Sequence, residues 1–205
     1  EINDVIVELL PLFITLLVAG ALAGITAGLF GNGGGFVVVP ALVFVFSILA
    51  DPTSDLIFVA IGTSLATIVI SSARSVMAHR AKGAVDFDVV KSWAPWLLLG
   101  VGVGLYLASF ARPNQLYSVF AGGVLVYSVY FLFPKALSNM TFSETMPTGL
   151  TRASIASVLG GFSALLGIGG GTPTVITMVA CSRPIYQAVA TASGVGFIIG
   201  LGGAI

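Results

Sequence analysis

The sequence predicts an all-α integral membrane protein built from inverted-topology repeats, each carrying a glycine-broken helix. Three observations predict it. Of its 205 residues 57% are hydrophobic and only 8% charged, against roughly 25% charged in a soluble domain. The apolar residues fall into runs long enough to cross a bilayer. Two glycine-rich breaks recur at corresponding places along the chain.

A bilayer core ~30 Å thick needs ~20 apolar helical residues. The first run covers 5–30, with Glu8 near its start and acidic flanks, and it is too long for a signal-peptide core. GNGGG (31–35) breaks it. The apolar stretch 36–50, containing Pro40, follows; at ~1.5 Å per residue it reaches only about 23 Å. The polar turn 51–55 leads to a span over 57–72. The most charged loop, 74–91, carries Arg74, His79, Arg80, Lys82, Asp86, Asp88 and Lys91. A span over 93–110 opens with Trp93 and Trp96, placed where interfacial aromatics belong. A short turn (112–115), a span over 116–133 and a polar connector follow. The apolar run 153–168 is broken at 169–171, a short stretch with Pro173 reaches Cys181, Arg183-Pro184 makes a turn, and 185–205 is apolar. The organisation expected is a first repeat over 1–134 with about five helical segments, a cytoplasmic connector over 135–151, and a second repeat over 152–205.

The breaks match each other. GITAGLFGNGGG (24–35) and GGFSALLGIGGG (160–171) are identical at Gly24/Gly160, Leu29/Leu165, Gly31/Gly167, Gly33/Gly169, Gly34/Gly170 and Gly35/Gly171. Farther on, IFVAIGT (57–63) matches IYQAVAT (185–191). Two such interrupted apolar segments in corresponding positions are a sequence pointer to a transporter binding site. Arg74, Arg80, Lys82 and Lys91 place their loop in the cytoplasm. The first unit then enters the membrane from outside and the second from inside.

Backbone that leaves the helix inside a membrane must lie against protein or a water-filled cavity, and glycine lets a ligand approach the main chain. The helices starting after the breaks aim their N-termini, with free N–H groups and partial positive charge, at those breaks, which suits an anion. The expected substrate site is Gly31, Asn32, Gly33, Gly34 and Gly35 with Gly167, Gly169, Gly170 and Gly171, helped by the polar side chains of Thr63, Ser64, Thr172, Thr191 and Ser193. No Lys or Arg lies deep within an apolar run, so the anion would rest on dipoles and neutral donors. Arg74 and Arg152 sit at span ends, where long side chains reach the interface.

No nucleophile–base pairing, metal-ligand spacing or phosphate-binding loop is present; GNGGGF lacks the Lys-Ser/Thr and strand context of one. The expectation is therefore a non-enzyme with no cofactor and no metal. Zero formal net charge gives no basic patch for nucleic acid. A single cysteine allows no internal disulfide. The partners expected are the lipid bilayer and a small anionic substrate, with oligomeric assembly left open.

At these residues the chain resembles the sulfite exporter TauE/SafE family. GLFGNGGGFVVVPAL (28–42), its second copy ALLGIGGGTPTV (164–175) and IGTSLATIVISSARSVMAHRAKGAVD (61–86) carry the resemblance. It implies a multi-pass transporter of the bacterial inner membrane that exports sulfite, an organosulfonate or a related anion by alternating access. Family members usually continue past the second motif, so further C-terminal helices of the second repeat are expected beyond residue 205. An uncoupled anion channel with the same site, and a non-transporting membrane scaffold or sensor, are the alternatives.

Overall fold

A computed structural model describes residues 2–31, 33–49, 56–132 and 145–205. Asn32, the turn at 51–55 and residues 133–144, which include part of the connector, lie outside the described residues. All the regular structure described is helical: α1 (Ile2–Phe30), α2 (Gly35–Leu49), α3 (Leu56–Arg80), α4 (Phe87–Ala108), α5 (Pro113–Leu132), α6 (Gly149–Leu166), α7 (Gly171–Ala180) and α8 (Ile185–Gly203). Among the described residues five stretches are long and apolar enough to span a membrane: Leu9–Leu29, Leu56–Arg80, Phe87–Ala108, Gly149–Leu166 and Ile185–Gly203. The protein is thus a multi-pass membrane protein.

Burial ranks these helices. In α8, 56% of the most apolar window is buried, against 17% in α1. α8 is the central helix, and α1 turns Phe13, Leu17, Leu22, Ile25 and Leu29 outward, where lipid is the compatible solvent. α3 packs antiparallel to α8: Leu65 meets Gly203, Ile68 meets Gly200 and Ser72 meets Gly196, and Ser75 Oγ lies 2.8 Å from Ser193 Oγ. α4 and α6 run in parallel through a small-residue seam. A Cβ on Gly104 would fall 2.6 Å from the carbonyl oxygen of Gly161, and Gly100 and Gly160 press on the backbone of Ser157 and Leu97. Close backbone approach of this kind is how helices gain packing where the surroundings are as apolar as their side chains. Ser157 Oγ donates across the seam to the Trp96 carbonyl at 3.1 Å.

The two short helices pack differently: α2 folds back beside α1 and α3, whereas α7 lies against α8, the helix that follows it. α2, of 15 residues, and α7, of 10, reach only ~23 and ~15 Å at 1.5 Å per residue, too short to cross. Residues of α1 and α2 together line a crevice of about 250 Å³ with α3, and residues of α6 and α7 line one of about 610 Å³. In the register of the matched breaks, Ala19 and Ala41 of the first crevice correspond to Ile155 and Thr177 of the second.

Two expectations are corrected, and one matched pair divides. The charged segment 74–91 is not one loop: nothing in 73–80 breaks a helix, so α3 carries Arg74, His79 and Arg80, and the turn closes on Gly83 at φ +64°. Trp93 is not an interfacial residue. It is 1% exposed and sits in the central apolar cluster with Leu97, Ile61 and Val195. The matched pair Gly24/Gly160 does not share a role. A Cβ on Gly24 would meet open space, whereas Gly160 abuts the Leu97 carbonyl.

Candidate functional site

Each glycine break carries left-handed backbone at the same three matched glycines. Gly31, Gly33 and Gly34 have φ of 66°, 71° and 83°; the corresponding Gly167, Gly169 and Gly170 have 64°, 67° and 68°. A Cβ in that region costs roughly 1–2 kcal/mol, which explains why glycine occupies all six positions. Gly167 ends α6 as a left-handed C-cap, its N–H bonding back to the Ala164 and Ser163 carbonyls. Gly170 starts α7 with no side-chain cap, leaving first-turn N–H groups without helical acceptors. Pro173 removes one of those donors at no cost in hydrogen bonding.

The breaks meet. Gly35 packs on the carbonyl of Gly167 and the Cα of Ile168, so closely that a Cβ there would overlap them. Each break also reaches into the other half of the chain. Gly31 faces the carbonyl of Val189 in α8, and Gly167 faces Ile61 in α3; Ile61 and Val189 are themselves a matched pair in the sequence. Within each half the contacts correspond as well, Gly33 lying on Ile68 and the Gly169 carbonyl on Gly196. Around this junction Phe36 and Tyr127 meet edge to face with centroids 5.0 Å apart, closing it on the α5 side with Leu166 and Ile168.

The expected side chains divide by what their hydroxyls do. Ser64 Oγ donates to the Gly167 carbonyl at 2.7 Å, so it ties α3 to the second break. Thr191 Oγ1 accepts from the Asp86 backbone N–H at 2.9 Å. Ser193 Oγ donates to the Val189 carbonyl at 3.2 Å and pairs with Ser75. These three are already engaged by protein. Thr63 lines the 250 Å³ crevice beside Gly33. Thr172, in the first turn of α7, is 3% exposed and its Oγ1 has no partner. Sequence reasoning missed Ser71, whose Oγ donates to the Gly33 carbonyl at 3.2 Å, and the buried unpartnered hydroxyls of Ser72 and Ser163. The signal available was position: Ser163 lies four residues before Gly167, inside the repeated motif itself. The larger crevice stops short of residues 167–172, and the smaller one touches the first break at Gly33.

The two halves are also latched at one end. Asp86 caps α4, its carboxylate accepting from Val89 N–H at 3.2 Å and standing 3.9 Å from the Arg183 guanidinium. Asp86→Ala is expected to cost about 1 kcal/mol, the usual worth of an N-cap, with little from an ion pair that long and that exposed. Thermal unfolding in detergent measures it. Cys181 beside this latch is buried, and burial pushes its thiol up from the ordinary range, so it competes poorly with an introduced surface thiol for labelling reagents.

The sequence model described as "Sulfite exporter TauE/SafE" matches residues 16–205. A "Probable membrane transporter protein" of Haemophilus influenzae is 35% identical over 193 residues, covering 91% of this chain and 70% of the relative. A Bacillus subtilis protein, "Probable membrane transporter protein YunE", is 30% identical, covering 94% and 77%. A Methanocaldococcus jannaschii protein also described as a membrane transporter is 28% identical over 97% of this chain and 73% of its own length. No solved structure matches the chain significantly.

Proposed function

Because the chain belongs to the sulfite exporter TauE/SafE family, we propose that it is a secondary transporter that exports a small sulfur-containing anion, sulfite or an organosulfonate, by alternating access. The observation that carries the reading is the pair of glycine breaks, alike in φ at three matched positions and in contact at Gly35 and Gly167. Each break precedes a short helix whose N-terminus faces it, the arrangement that holds anions through main-chain N–H groups. Alternating access then works by rocking one half against the other around that junction.

An inverted repeat is the topology that makes such rocking symmetric. The antiparallel packing of α3 on α8 supports it. Corresponding helices run in opposite directions when repeats are related by an axis in the membrane plane, and in the same direction when the axis is the membrane normal. The crossed contacts, Gly31 with Val189 and Gly167 with Ile61, support the same relation. In this reading the α3–α4 turn is cytoplasmic, and the second hairpin enters from that side. An impermeant thiol reagent applied to intact cells should leave Lys82→Cys unlabelled and label it after permeabilisation. Labelling in intact cells would reverse the orientation.

The substrate reading is tested by thermal stabilisation of the purified protein across a panel of oxyanions, sulfonates, carboxylates and halides. Sulfite or a sulfonate should raise the melting temperature in a saturable way, as any ligand that binds only the folded state does. Stabilisation by none of the panel would remove the anion from the account.

A further inference from the structure

The two breaks are alike in backbone φ at three matched glycines but not in side chains, and one difference lies in buried hydroxyls. Ser72, Ser163 and Thr172 are 1%, 0% and 3% exposed, and none of their hydroxyl oxygens has a hydrogen-bond partner. All three lie at the second break, Ser163 and Thr172 on its own helices and Ser72 on α3 of the first half. Ser163 Oγ stands 3.1 Å from where a Cβ on Gly170 would be. Ser72 Oγ stands 3.0 Å from the Cβ position of Gly196, a point that also lies 3.1 Å from the Gly169 carbonyl oxygen. Thr172 is in the first turn of α7, whose N-terminus is Gly170. In the matched register the first break has Gly200, Ala27 and Phe36 in their places, residues that cannot donate from a side chain. Of the hydroxyls near it, Ser71 donates to the Gly33 carbonyl, Thr26 to the Ala23 carbonyl and Thr67 to the Ser64 carbonyl.

A buried hydroxyl without a partner is destabilising, and a serine or threonine in a helix ordinarily bonds to the carbonyl one turn back. Thr67 and Thr177 do so here. Three exceptions gathered at one helix N-terminus mark a place where the missing acceptors come from something bound. The sign of that ligand follows from the electrostatics. The N-terminus of α7 favours negative charge, and among the described residues no group of His, Cys, Asp or Glu is placed to hold a metal ion.

Resting on the anion reading above, we propose that the seat is one-sided. The second break holds the anion through Ser72, Ser163 and Thr172 with the first-turn N–H groups of α7, and the first break is the close-packed wall against which it is held. The two breaks are then unequal in role: the second, helped by Ser72 of α3, holds the ligand and the first seals it.

The test uses the purified chain, sulfite and methanesulfonate as probes, and two readouts, calorimetric affinity and melting temperature without ligand. Ser72→Ala, Ser163→Ala and Thr172→Val should each weaken binding about tenfold or more, the worth of a hydrogen bond to a charged group. The same variants should melt at or above the parent temperature, because each deletes an unpaired buried hydroxyl. Ser71→Ala should do the reverse, melting lower and binding within about twofold of the parent, since its bond is internal. If the parent binds and the three variants bind equally well, the seat is elsewhere and the anion reading stands. A fall in melting temperature of the ligand-free variants would make the hydroxyls structural and overturn the proposal, as would stabilisation of the parent by sodium chloride that sulfite does not add to. A parent that binds neither probe removes the anion reading itself.

Discussion

Gly35→Val is expected to disable transport and lower stability together. A side chain at residue 35 has nowhere to go, because its first carbon would overlap the Gly167 carbonyl and lie 2.6 Å from the Ile168 Cα. Both obstacles are backbone, so no rotamer change relieves them. Overpacking a fitted interior costs ~1–3 kcal/mol, and backbone on both sides puts this position at the upper end. The first break must withdraw from the second, which destroys the geometry that a bound anion needs. Gly35→Ala should do nearly as much, since the Cβ alone is enough. Gly62→Val is the control, as a Cβ at Gly62 meets nothing within 4 Å. Melting temperature and uptake into proteoliposomes are the measurements. A Gly35→Val protein that melts and transports like the parent would mean the breaks do not touch.

Gly100→Val is expected to be the most damaging substitution away from the breaks. α4 lies on α6 through glycines, and a Cβ at Gly100 would run into the Ser157 carbonyl, with the Ser157 Cα 2.8 Å away. The seam also carries the Ser157–Trp96 hydrogen bond, which separation would break. The expected loss is about 3 kcal/mol, the overpacking term plus a net hydrogen bond of roughly 1 kcal/mol. Gly102→Val, two residues along the same helix, points into open space and should be silent. Equal melting temperatures for the two variants would place the α4–α6 contact elsewhere.

The spans and the breaks were legible in the sequence because their signals are local. A run of apolar residues and a cluster of glycines need no knowledge of what lies opposite. The repeated φ pattern at Gly31/Gly167, Gly33/Gly169 and Gly34/Gly170 falls on the glycines that the matched motifs share. What was not legible depends on partners. Trp93 reads as interfacial from its place at a helix start, yet α4 packs on α6 and α8 and Trp93 is buried in the central apolar cluster. Gly24 and Gly160 are the same residue in the same motif, but only Gly160 is pressed against the backbone of another helix. Thr191 and Ser64 read as ligand donors, and their partners prove to be Asp86 and Gly167, more than a hundred residues away in the chain.

The same dependence changes which substitutions are informative. From sequence, valine at Gly34 or Gly170 looks like a clean block of close approach, tolerated because valine suits lipid. In the structure both positions have positive φ, and a Cβ on Gly34 would fall 2.6 Å from the Ala23 carbonyl oxygen. Loss of transport in those variants would report strain as much as a blocked site. The hydroxyl variants at the second break avoid that ambiguity.

The most direct measurement of the central claim is counterflow in proteoliposomes containing the purified chain. Vesicles preloaded with unlabelled sulfonate should accumulate labelled sulfonate transiently above its external concentration. The initial rate should saturate with substrate and fall sharply in Gly35→Val. Flux that rises linearly with concentration and never overshoots would contradict a carrier with a closed site between the breaks, and flux no greater than in empty vesicles would contradict transport of these anions altogether.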